Sequence, residues 1–153
     1  MRSKALEIDP NDADAWNNKG NALYNLGNYN EAIECYDRAL KIDPKNADAR
    51  YNKGSALAEL GKDNEAIECY DRALKIDPNY INAWYNKGVV LGKLGKWNEA
   101  IECYDQALKI DPKNVLVIKN RDIVLERMEK EPDHYSTSEA PGGKKSRWKR
   151  IFR

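Results

Sequence analysis

Fifteen consecutive residues, 30–44, recur without a change at 64–78. They recur again at 98–112, with Gln106 as the single difference. The period of 34 residues divides the middle of the chain into units 13–46, 47–80 and 81–114. A unit of that length cannot bury a core alone, so successive units must stack and share one. Composition agrees: 41% hydrophobic and 33% charged residues suit a helix-rich chain whose core is thin relative to its surface.

Each unit reads as two helices. In the second unit the first helix is expected over 47–60, with Asn46 or Asp48 placed to cap its start and Gly61 just past its end, where a left-handed residue costs least. The second is expected over 64–76. Its Ala66, Ile67, Tyr70, Ala73 and Leu74 fall on one helical face. Pro78 disfavours helical geometry at Asp77 and stops it. Gly20, Gly54 and Gly88 on the first helices and Ala32, Ala66 and Ala100 on the second are expected to let the paired backbones approach closely.

Trp16, Gly20, Leu23, Gly27, Ala32, Tyr36, Ala39 and Pro44, with their equivalents 34 and 68 residues on, resemble the tetratricopeptide repeat family. The resemblance covers about residues 5–131. It implies an all-α fold, a right-handed α-solenoid of antiparallel helix pairs, and a protein–protein interaction scaffold without enzymatic activity or cofactors. Two departures stand out. Arg50 replaces the tryptophan found at 16 and 84, and Lys19, Lys53 and Lys87 stand where the family often has leucine. Their stems are expected to lie over the core with the charge in water.

The ends are irregular. Residues 5–10 match the close of a second helix, so residues 1–12 read as part of a preceding repeat. Residues 115–131 read as a solvating helix, in which Asp122 and Glu129 replace the two glycines of a first helix. Ile118, Leu125 and Met128 are expected to cover the third repeat. Val115, Leu116, Val117, Ile123 and Val124 are apolar too, and either bury there or form an exposed patch. Leu6, Ile8, Leu116, Ile123 and Val124 are therefore candidates for self-association by end-to-end stacking between copies.

In the family the first helices line a groove. Variation between the repeats is concentrated on that stripe, while the second helices are almost identical. The resemblance thus places a peptide ligand against Asn17, Asn18, Asn21, Tyr24, Tyr51, Asn52, Ser55, Tyr85, Asn86 and Val89. Asn18, Asn52 and Asn86 form a ladder of one amide per repeat. Such a row can pair with an extended peptide backbone, or serve caps and bonds between helices. Relatives that grip an acidic chain end use cations at positions held here by Asn17, Asn82 and Asn86. With Asp14, Asp48 and Glu59 nearby, a neutral or basic peptide is expected instead.

No catalytic pattern is visible. Cys35, Cys69 and Cys103 sit one per repeat, about 10 Å apart by helix spacing, too far for a shared metal or a disulfide. Free thiols and the lack of a signal-peptide core at the start point to the cytoplasm. His134 is the only histidine. Residues 132–143 read as a flexible linker to a basic tail with Lys144, Lys145, Arg147, Trp148, Lys149, Arg150 and Phe152. The last 22 residues carry +4 of a total charge of +1, so the rest carries −3. Such a tail suits a membrane surface or nucleic acid weakly, and an acidic protein groove equally.

Overall fold

The computed structural model describes residues 9–132. Within them lie seven helices: α1 (Ala13–Asn25), α2 (Tyr29–Ile42), α3 (Ala47–Glu59), α4 (Asp63–Ile76), α5 (Ile81–Lys93), α6 (Trp97–Ile110) and α7 (Val115–Lys130). No strand occurs among the described residues. The part-helix expected before residue 9, with Leu6 and Ile8, and the tail from 133 lie outside them.

Local chemistry sets many of the boundaries. Asp12, Asn46 and Asn114 cap α1, α3 and α7 by accepting backbone N–H groups of the first turn. Asn46, not Asp48, is thus the cap of α3, because the cap must precede the first helical residue. Each first helix of the three repeats ends in the same motif. Gly61, at φ +77, donates its N–H to the Ala58 carbonyl, and Lys62 donates to Leu57. Gly27 and Gly95 repeat the arrangement. Glu129 stands at the fourth such position, and α7 runs on to Lys130 without that stop. The second helices end at aspartates whose side chains accept an N–H two residues on. Lys45 donates to Asp43 at 3.1 Å, Asn79 to Asp77 at 3.0 Å and Lys113 to Asp111 at 3.3 Å. Asn11 does the same to Asp9 at 2.9 Å, so the turn entering α1 belongs to the same series.

Within each pair the close approach is a ring on a bare backbone. A Cβ added to Gly20 would stand 2.5 Å from the Tyr36 ring, and at Gly54 or Gly88 it would stand 2.9 or 2.6 Å from Tyr70 or Tyr104. The glycines therefore seat the buried tyrosines of the second helices, and Ala32, Ala66 and Ala100 are wholly buried beside them. Arg50 keeps a bond that its tryptophan counterparts make. Trp16 Nε1–H donates to the Pro10 carbonyl at 2.7 Å and Trp84 Nε1–H to Pro78 at 2.8 Å. Arg50 Nη2 reaches Pro44 at 3.5 Å.

The cap divides the apolar residues of α7. Val117, Val124, Leu125 and Met128 are buried with Trp97 and Ile101 against the third repeat. Ile118 is exposed, contrary to the expectation that it covers that repeat. It occupies the position of Trp84, on the side where a following second helix would lie, and Val117 takes the inward place of Ala83. Val124 is buried in register with Val90 and so drops out of the exposed patch.

Candidate peptide-binding groove

A cavity of about 630 Å³ opens between the first helices. Its walls are Asn21, Tyr24 and Asn25 of α1, Tyr51, Asn52, Ser55, Ala58 and Glu59 of α3, and Asn86, Val89, Val90 and Lys93 of α5. Tyr36 and Tyr70 from the second helices complete it. Of the residues that the sequence places at a ligand, Asn21, Tyr24, Tyr51, Asn52, Ser55, Asn86 and Val89 come together here. Asn17, Asn18 and Tyr85 do not line the cavity. Asn17 is buried at 9% exposure, which corrects its assignment as a ligand contact, and Asn18 is exposed.

Tyr36 and Tyr70 are what sequence reasoning missed. Their invariance among the repeats reads as packing, and packing explains the rings but not the hydroxyls. Tyr36 O–H donates to Asn21 Oδ1 at 2.8 Å, and the Tyr70 hydroxyl meets Ser55 Oγ at 3.1 Å. The signal available was the polar residue one position past the first two seating glycines, Asn21 and Ser55. Burial pushes both phenols up, so they stay neutral donors at physiological pH. Tyr24 is pushed up to about 12 by burial, then by the Glu59 carboxylate that its O–H meets at 3.4 Å.

The amide ladder has a different main role from the one a peptide would give it. Asn52 Nδ2–H donates to Asn17 Oδ1 at 3.0 Å, and Asn86 Nδ2–H to the Tyr51 hydroxyl at 2.6 Å. Both bonds join one first helix to the first helix before it. Asn120, which the sequence reading passed over, continues the series by donating to the Tyr85 hydroxyl at 3.1 Å. The neighbouring cations also face backward, to the preceding second helix. Lys53 pairs with Asp37 at 2.7 Å, Lys87 with Asp71 at 2.6 Å and Arg121 with Asp105 at 2.7 Å. The Asn-Lys-Gly triplet is therefore a joint: amide to the previous first helix, ammonium to the previous second helix, glycine to its own. The carbonyl oxygens of Asn52 and Asn86 keep acceptor capacity at the cavity.

The cavity is nearly neutral. Glu59 and Lys93 are its charged lining residues. Asp14 and Asp48 do not line it, and Asp48 instead accepts the Tyr80 hydroxyl. Cys35, Cys69 and Cys103 are free and buried, and burial raises their thiols, Cys103 to about 11. Among the described residues no group of three His, Cys, Asp or Glu side chains could hold a metal, and no helix is long and apolar enough to cross a membrane. Leu116 and Ile123 of the self-association set are exposed, at 55% and 45%. The basic tail lies outside the described residues.

Models of the tetratricopeptide repeat match residues 13–46 and 81–114, and a further one matches 35–68. A TPR repeat model bridges 54–95. The chain belongs to the tetratricopeptide repeat family. This TPR array is similar to the crystal structure of MamA, at 26% identity and a TM-score of 0.77, over 88% of this chain and 79% of that one. The first TPR domain of the human RPAP3 protein is similar at 27% identity and a TM-score of 0.77, over 81% of this chain and 98% of that one. The first TPR of Spaghetti (RPAP3), solved bound to the HSP90 peptide SRMEEVD, is similar at 27% identity and a TM-score of 0.74, over 76% of this chain and 93% of that one. Comparison with curated proteins finds no significant match.

Proposed function

We propose that this TPR array is a protein–protein interaction scaffold that holds a neutral or basic peptide segment between its first helices. The observation that carries the reading is the lining of the cavity. Tyrosine hydroxyls, amides and Ser55 offer neutral donors and acceptors, on rigid aromatic surface of the kind enriched at binding hot spots. A relative of similar fold binds an acidic peptide. Here Asn17, Asn82 and Asn86 replace the cations of a carboxylate grip, so charge-assisted bonds to an acidic chain end are missing. Lys93, the cavity's single cation, is paired with Asp63 of α4 at 3.8 Å.

Head-to-tail stacking through a completed fourth helix pair has less support. Asp122 stands at the position of the seating glycines, where even a Cβ falls within 2.9 Å of the expected ring. A second helix from another copy would meet the same obstruction.

Fluorescence polarisation with labelled peptides tests the reading. Neutral and Lys-containing peptides should bind, a uniformly acidic Asp/Glu/Ser peptide should not, and Ser55→Arg should abolish binding by filling the cavity. Binding of the uniformly acidic peptide as tight as that of the neutral peptides would refute the stated preference. Binding indifferent to Ser55→Arg would remove the groove from the account.

A further inference from the structure

The first-helix face continues one helix beyond the repeats. The Asn120–Tyr85 bond sets α7 beside α5 as Asn86–Tyr51 sets α5 beside α3. In that register Leu116 follows Asn82, Lys119 follows Tyr85, Ile123 follows Val89 and Arg127 follows Lys93. Residues 116, 119, 123 and 127 share one face of a helix. Leu116 and Ile123 are exposed there at 55% and 45%, and Lys119 and Arg127 are exposed beside them. Two large apolar side chains interleaved with cations on the exposed face of α7 are costly to leave in water.

Charge divides this extended face into halves. At the positions in register with these, α1 and α3 carry Glu59 at the cavity and Asp14 and Asp48 outside its lining, and no cation. At the same positions α5 and α7 carry Lys93, Lys119 and Arg127 against Glu126. A uniform ligand, all basic or all acidic, would be repelled at one end.

We infer that the peptide groove extends across α7, where Leu116, Ile123, Lys119 and Arg127 take a second stretch of the same ligand, one with bulky apolar side chains flanked by carboxylates. This rests on the groove reading above and sharpens its ligand. The partner segment is charge-asymmetric, with a neutral or basic half over α1 and α3 and an acidic, apolar half over α5 and α7. The occupant is a partner peptide rather than a second copy. A second copy would bring the same cations to the same face, and like charges across a two-fold contact repel.

The test uses the full chain and three labelled probes. Two join a Lys/Ser/Gly half to a Leu/Phe/Asp/Glu half in opposite orders, and the third is the Lys/Ser/Gly half alone. One of the joined probes should bind more tightly than the single half. Leu116→Ser with Ile123→Ser should weaken that probe about tenfold, the scale of losing two partly buried apolar contacts. Lys119→Glu with Arg127→Glu should weaken it several-fold more at low salt than at high salt. Neither pair should change binding of the single half, and the four positions are exposed, so the melting temperature should hold. Unchanged affinity of both joined probes in the two variants, with loss in Ser55→Arg, overturns the extension and leaves the groove standing. Failure of all three probes on the unaltered chain overturns both readings. A wild-type dimer in sedimentation that Leu116→Ser/Ile123→Ser turns monomeric assigns the face to a second copy, and also overturns the inference.

Discussion

Gly54 and Gly61 lie seven residues apart in one repeat and answer to different constraints. Gly54 has ordinary helical geometry, but an added Cβ would stand 2.9 Å from the ring of Tyr70, itself fully packed. Gly61 has nothing within 4 Å and a φ of +77. Gly54→Ala should therefore lower stability by about 2 kcal/mol through overpacking, and Gly61→Ala by about 1 kcal/mol through backbone strain. Urea unfolding should rank them in that order. The tyrosines give a second residue-scale prediction. Burial raises the phenols of Tyr24, Tyr36, Tyr70 and Tyr104 in the folded state, Tyr24 to about 12. The unfolded chain loses those protons first, near pH 10. Stability is thus fully present below pH 10 and falls as pH rises from there through the folded values. An alkaline titration followed by phenolate absorbance and circular dichroism should show ionisation and unfolding together, not free titration of the folded tyrosines. The positions of these residues were legible in the sequence, because a 34-residue period fixes which residues are equivalent. What each one touches was not. The sequence reads Asn52 as a ligand contact but not as a bond to Asn17, since it does not say which side chains of successive first helices meet.

Among the elements, α7 tells most about how the array ends. It keeps the two backward-facing members of the triplet, Asn120 and Arg121, and replaces the forward-facing glycine with Asp122. It docks on the third repeat and presents no seat for a further second helix. Removing both anchors with Asn120→Ala/Arg121→Ala should loosen α7 by about 1–2 kcal/mol, the scale of one neutral and one charge-assisted bond at a partly buried site. Hydrogen exchange should then quicken across 115–130 while α1 and α2 stay protected; equal protection throughout would mean that apolar burial alone holds the cap. The sequence announced α7 through Asp122 and Glu129, but not which of its apolar residues turn inward. That depends on Trp97, which replaces Tyr29 and Asp63 of the other repeats and buries its ring beneath the cap. It shares one buried cluster with Val124 and Met128. At α5 the change runs the other way. Tyr80 stands where Asp12, Asn46 and Asn114 cap their helices, and α5 has no side-chain cap. Tyr80 spends its ring on Tyr51, 5.0 Å between centroids, and its hydroxyl on Asp48.

At the scale of the whole molecule each repeat touches its neighbours and little else, as stacked units must. Stability should therefore grow with the number of interfaces, not with any one residue. The three joints, 52–53 on repeat one, 86–87 on repeat two and 120–121 on repeat three, use an asparagine donor and a cation–aspartate pair at the same spacing, with Asn17 as acceptor at the first and tyrosine hydroxyls at the other two. Inserting a second copy of residues 47–80 after residue 80 should give a longer folded chain with a higher melting temperature, checked by calorimetry; a lower one would mean that the repeats are not interchangeable at their contacts. The triplet makes this more than a matter of engineering. Because the triplet and its partners both recur every 34 residues, a crossover between equivalent points of two repeats keeps each donor opposite an acceptor. A gene with this period can gain or lose a unit in one recombination event that keeps the spacing of the joints. The partner can therefore change faster than the fold: the length of the groove is open to variation, while Asp122 holds the end fixed.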